Sequence, residues 1–211
     1  MSGMLQLKDK TPLAKGGKRL VFRHPDDSGL IVKVLQDSYI RRLIPNPGNW
    51  RRKQKRYKQY ITYLQEVREH FAACAAFGHP PKYMQNLVGF TNTDYGPGLV
   101  YEAVFGPAGT FAPTLKDLID RDEATPDIKQ AYEEFRAWLI AAPIAITPLH
   151  NDNIVCVRDA AGKPYFVLID GIGHRGTVPI KGIFPWLNSR SNRKNFEHFE
   201  RRELPPGFRA A

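Results

Sequence analysis

A lysine sits in the middle of the otherwise apolar run Leu30-Ile31-Val32-Lys33-Val34-Leu35. An unpaired buried ammonium is costly, so a charge in such a strand must meet an anion, a polar group or water. Lys33 therefore either meets such a partner inside the fold or lies on an edge strand and reaches solvent. Far along the chain, Asn153 and Asp170 stand 17 residues apart, on either side of a short hairpin pattern. Their side-chain oxygens suit Mg²⁺, a hard cation that takes one or two protein oxygens together with phosphates and water. The plainer role for Asp170 is a turn residue capping its own backbone. Gly16 and Gly17 form a turn between strand-like segments, where a backbone free of side chains can approach phosphates closely. An ordinary hairpin turn has the same composition. His150 is chemically apt as a proton acceptor and Asp152 is a second carboxylate beside Asn153. The alternatives are that His150 packs against its own loop and that Asp152 points outward.

These residues need elements to hold them. Leu20-Val21-Phe22 and residues 30–35 read as strands around the turn His24 to Gly29, and a helical pattern runs from Trp50 to about Phe77, with Tyr57, Ile61, Leu64, Val67 and Phe71 at three- and four-residue spacings. Gly78-His79-Pro80-Pro81 stops it. Asn86–Asn92 and Gly98–Val104 predict a hairpin, and the Gly/Pro loop from Gly106 to Pro113 predicts a hinge between an N-terminal half, residues 1–105, and a C-terminal half, residues 106–211. Thr114 is placed to cap a short helix ending at Asp120, and a longer helix follows Pro126. Ile154–Val157 and Tyr165–Ile169 predict two strands, and residues 186–202 a basic helix.

Composition narrows the classes. The 211 residues are 42% hydrophobic and carry a net charge of +10, which fits a folded domain and excludes wholesale disorder. No run approaches the roughly 18 apolar residues of a membrane span, and the start lacks the apolar core of a secretory signal, so a cytoplasmic protein is expected. Cys74 and Cys156 are expected to be buried free thiols. His70 and His79 lack partners at zinc-ligand spacing, and Ser189 and Ser191 have no glycine elbow. Residues 1–60 hold 15 basic and 4 acidic side chains, a surplus of 11. Arg41, Arg42, Arg51, Arg52, Lys53, Lys55, Arg56 and Lys58 form a run with no acid among them. That run is either a solvated face or a surface for an acidic protein, an anionic lipid or a phosphate-rich polymer. No nucleic-acid-binding motif accompanies it, so nucleic acid is the least favoured partner.

The order of strands, helix, strands, hinge, helices and late hairpin resembles a protein-kinase-like, two-lobed α+β fold: an antiparallel sheet lobe with one long helix, then a reduced, mainly helical lobe. In that plan the lysine pairs nucleotide phosphates and a helix glutamate. Lys33 would take this role, Gly16 and Gly17 would cover the phosphates, and the backbone near Glu102 and Val104 would meet adenine. Asn153 and Asp170 would hold the metal. Thr11-Pro12-Leu13, Arg19 to Asp27, Ile31-Val32-Lys33-Val34, Thr93 to Glu102, Leu149 with Asn153-Ile154-Val155, and Ile169 to Gly173 further resemble the PhoP regulatory network protein YrbL family. The resemblance implies a bacterial cytoplasmic protein, in some members under PhoP control. The chain departs from the kinase pattern at Pro148, where the catalytic aspartate would stand, at His150, where a lysine is usual, and at Ala14 and Arg19, where glycines would stand. The acid facing Lys33 is also open, with Tyr57 at the aligned position and Glu66 and Glu69 further along. Mg-ATP binding in an interlobe cleft with weak phosphotransfer is the first expectation. An inactive, pseudokinase-like module recruiting an acidic partner is the second.

Overall fold

The computed structural model describes residues 3–43, 60–106, 110–173 and 185–208. The fold is α+β, with an antiparallel sheet of five strands and several helices. The chain divides into two compact units: Met1–Leu64 with Asn86–Ala103, and Gln65–Gln85 with Val104–Ala211. The helical segment before Phe77 is thus shared, its larger part counting with the second unit.

The first unit is built on the sheet. Its strands are β1 (Ala14–Lys15), β2 (Arg19–Arg23), β3 (Leu30–Leu35), β4 (Leu87–Thr93) and β5 (Gly96–Glu102), in the order β1-β2-β3-β5-β4. β3 is therefore interior, which excludes the edge-strand reading of Lys33. A strand flanked on both sides and covered on both faces has no polar alternation, which is why residues 31–35 are all buried. Leu5, Leu7, Phe22, Val32 and Val34 form the unit's core, with the Phe22 and Tyr95 rings 5.7 Å apart. Helix α1 (Asp37–Leu43) follows β3, in a stretch where the sequence carried no helix prediction.

The β4–β5 turn is tighter than expected. Thr93 pairs with Gly96, leaving Asp94 and Tyr95 as the two-residue loop, and Gly96 has φ +91°. Glycine supplies that left-handed backbone without steric cost. Gly98 serves a different need: a Cβ there would lie 2.9 Å from Val32 Cγ1 and 3.2 Å from Val34 Cγ1, both in the packed core. Gly98→Ala is expected to cost about 1–3 kcal/mol through overpacking, read as a lower urea midpoint at unchanged slope.

The second unit holds helices α2 (Ile61–Phe77, whose first turn belongs to the first unit), α3 (Leu115–Asp120), α4 (Pro126–Ala141) and α5 (Pro185–Glu203), and the antiparallel hairpin β6 (Ile154–Arg158) and β7 (Pro164–Leu168). Its core joins α4, the hairpin and α5 through Tyr132, Phe135, Leu139, Phe166, Leu168 and Phe196. Each such side chain contributes roughly 1.5–3 kcal/mol when fully buried. The elements expected after residue 113 are present, with ends shifted by no more than one residue. The basic helix predicted to start at Trp50 is described only from Ile61; residues 44–59, including Arg51 to Lys58 and Tyr57, lie outside the described residues. Arg41 is exposed on α1.

Candidate functional site

Lys33 is 5% exposed, on an interior strand between Val21 of β2 and Leu99 of β5. Its ammonium lies 4.2 Å from the centre of the Tyr101 ring. A desolvated cation–π contact of this kind is worth about 2 kcal/mol. The Tyr63 hydroxyl donates to the Lys33 carbonyl at 3.2 Å, fixing the backbone beneath the charge.

The glycine turn is held by a residue that composition did not single out. Gly16 N donates to Arg19 O at 2.9 Å, and the Gln36 side-chain amide donates to the carbonyls of Gly16 and Arg19. Gln36 N also donates to Lys18 O at 2.9 Å. Neither glycine has a positive φ, and nothing lies within 4 Å of a Cβ on Gly17. Backbone strain does not require glycine there. Downstream, the Glu102 carboxylate accepts from Asn86 Nδ2 at 2.9 Å, and Ala103 N donates to Gly29 O. In the second unit, Val104 O accepts from Ala112 N at 3.2 Å.

In the second unit the late hairpin brings two predicted residues side by side. Ile169 N donates to Asn153 O at 2.9 Å, so Asn153 lies next to the strand end that carries Asp170. Asp170 is exposed and its Oδ1 accepts from Gly171 N at 2.7 Å, the local capping anticipated as the plain role. Gly171 has φ +91°, and its carbonyl accepts from Thr147 N at 2.8 Å, which ties the Asp170 turn to the segment before Pro148. Among the described residues no three His, Cys, Asp or Glu side chains gather as a metal cluster.

His150 does not merely pack on its own loop. Its Nδ1 lies 2.8 Å from Glu203 Oε1, at the end of α5, and Glu203 Oε2 accepts from Asn151 N at 2.8 Å. One carboxylate thus holds both the ring and the loop backbone. Sequence reading missed Glu203, which is 53 residues away with no motif linking the two. Asp152 is exposed, as the outward alternative had it, and its charge reaches Lys116 on α3, which pairs with Asp120.

Helix α3 backs this loop, and its start is fixed by a capping box. Thr114 N and Oγ1 donate to Asp117 Oδ2 at 2.8 and 2.7 Å, and Asp117 N donates to Thr114 Oγ1 at 3.1 Å. The Thr114 backbone and hydroxyl bonds hold the Asp117 carboxyl below its ordinary value of 3.8, against a smaller opposing effect of burial. A carboxyl depressed by folding stabilises the protein above its unfolded pKa, and that contribution is lost as pH falls through the folded value. The melting temperature is therefore expected to drop below about pH 4 more steeply in the wild type than in Asp117→Asn, measured by melts across pH 2–6.

Other ionisable groups are structural in character. Burial pulls His70 below 6.5, with Glu66 opposing. Burial pushes the Cys156 thiol up to about 11, so it is a poor nucleophile at neutral pH. Cys74 and Cys156 are free thiols, but Cys74 is only half-buried. Glu69 accepts from Ala145 N at 2.8 Å and from Arg68 at 2.9 Å, which commits both its oxygens within the second unit. No described helix is long and apolar enough to cross a membrane.

Comparison with known proteins places these residues in a family context. The family described as PhoP regulatory network protein YrbL matches residues 5–204, almost the whole chain. The chain is 22% identical over 199 residues to a protein of Escherichia coli K12 called uncharacterized protein YrbL, covering 93% of this chain and 86% of that one. A protein of the same name in Shigella flexneri matches over the same shares.

Proposed function

The chain belongs to the PhoP regulatory network protein YrbL family, and from that premise we propose that it is a kinase-like protein that binds Mg-ATP and transfers phosphate weakly if at all. One observation carries the reading: the Ile169 N–Asn153 O bond that holds Asn153 beside the strand end bearing Asp170. The donor set fits the ion. Two hard oxygen ligands, one half-buried and one exposed, leave room for the phosphates and water that Mg²⁺ prefers to keep. In this reading buried Lys33 would face phosphate oxygens, and Gly17, with nothing within 4 Å of where a Cβ would stand, would let phosphate approach the turn that Gln36 pins. Bound nucleotide would supply the transferable phosphoryl group; the chain's own residues would position and neutralise it.

Pro148 favours binding over turnover, since it offers no proton acceptor where the kinase pattern has an aspartate. The partner-recruiting reading depends on residues 41–60, of which 44–59 lie outside the described residues, and nothing described favours it. Thermal melting with Mg-ATP, ATP plus chelator, and no ligand tests the proposal. A Mg-ATP-dependent rise in melting temperature is expected, and its absence overturns nucleotide binding.

A further inference from the structure

We propose that His150 is the proton acceptor of this protein's phosphoryl transfer and that Glu203 is the positioning residue that fixes its tautomer. The inference rests on the nucleotide-binding reading above and goes further, because it assigns a base where the pattern's own base is missing.

The chemistry follows from the ring's environment. An ionised carboxylate can only accept hydrogen bonds. With Glu203 Oε1 at 2.8 Å, His150 Nδ1 is the nitrogen that carries the proton, so the neutral ring has its lone pair on Nε2. The second oxygen, on Asn151 N at 2.8 Å, keeps the carboxylate from rotating away. Arg202 Nη2 donates to Oε1 at 3.0 Å and steadies the same group. The His150 side chain is 49% exposed while that of Glu203 is 14% exposed, the pattern of an accessible ring on a sheltered anchor. The charged groups around the loop, among the described residues, are Glu203 and Arg202 from α5, Asp152 on the loop itself, and Lys116, Asp117 and Asp120 from α3 packed against it.

In the step, His150 Nε2 takes the proton of a hydroxyl acceptor, a protein side-chain alcohol or water. The acceptor oxygen bonds to the γ-phosphorus of ATP, and the bond from that phosphorus to the β–γ bridging oxygen breaks. ADP leaves with the electron pair. Glu203 faces the imidazolium that forms, which then returns its proton to solvent.

Two measurements test this. Long-range ¹⁵N–¹H correlation spectra of the intact protein should show neutral His150 protonated on Nδ1, reverting to the Nε2–H form in Glu203→Ala. Release of phosphate from Mg-ATP into water should fall at least ~100-fold in kcat in His150→Ala, within the 10²–10⁴ range of a lost general base, with KM within about twofold. Added imidazole should restore part of the rate. Glu203→Ala should lose about tenfold in kcat at unchanged KM, an orientation effect smaller than loss of the base itself. An Nε2–H tautomer in the wild type overturns the inference even if variants fail to fold. So does turnover in His150→Ala within about threefold of wild type, or a Mg-ATP melting shift with no turnover on long incubation; in both cases nucleotide binding stands. A wild type with no melting shift overturns both readings together.

Discussion

Lys33→Met should abolish most of the thermal stabilisation that Mg-ATP gives the wild type. At ~100 times its dissociation constant, a ligand that binds only the folded state adds roughly 2.7 kcal/mol. For a chain of this length that is a rise of about 5–10 °C. Methionine keeps most of the stem volume at a site only 5% exposed, so the ammonium and its contacts are removed without opening a large cavity. A hydrogen bond to a charged group is worth about 1.5–3 kcal/mol, which is roughly a 10- to 100-fold weaker affinity. With affinity 100-fold weaker, the same nucleotide concentration adds only about 0.4 kcal/mol. Because Lys33 is buried and its ammonium lies against the Tyr101 ring, the readout is each variant's own shift on adding Mg-ATP and not its unliganded melting temperature. Asp170→Asn should reduce the shift as well while keeping the turn's bond from Gly171 N, which an amide oxygen can still accept. A full shift in Lys33→Met would remove Lys33 from the site.

Local chemistry makes the candidate residues legible in the sequence, while their partners stay hidden. An apolar run with one lysine, an Asn-Ile-Val strand start and an Asp-Gly strand end are patterns within a few residues, so Lys33, Asn153 and Asp170 stand out from neighbouring residues alone. The Thr114 cap and the late hairpin are legible for the same reason. Gln36, Glu203 and the asparagines of α5 act across 17 to 53 residues of chain. No period in the sequence links such pairs; only the tertiary arrangement does. The edge-strand option for Lys33 fails likewise, because strand order is set by which hairpins dock and not by the composition of one strand. One signal was available: Asn188, Asn192 and Asn195 recur at spacings of four and three, one helix stripe, in a segment read only as basic.

That stripe makes the largest stability prediction. Helix α4 ends at Ala141, and Ala142 N completes the ladder by donating to Trp138 O at 2.8 Å. The next donor would be residue 143, which is proline and has no N–H. The Leu139 carbonyl is therefore left without its helical partner in a fully buried place. Asn192, 1% exposed, replaces the missing donor: its amide donates to Leu139 O at 3.2 Å and to Ile144 O at 2.9 Å. Asn188 does the same for Ala142 O and Ile144 O, and Asn195 for Ile146 O. Together they fasten residues 139–146, the approach to Pro148 and His150, onto α5. Removing the Asn192 amide strands a buried acceptor and weakens a second, at about 1–3 kcal/mol for each group left unsatisfied. Asn192→Ala is thus expected to cost about 2–4 kcal/mol, a fall of roughly 5–15 °C in melting temperature. Asn192→Leu, which keeps the volume, should lose nearly as much, because the deficit lies in the stranded carbonyls and not in a cavity. Recovery of wild-type stability in Asn192→Leu would mean that packing, not hydrogen bonding, is what Asn192 supplies.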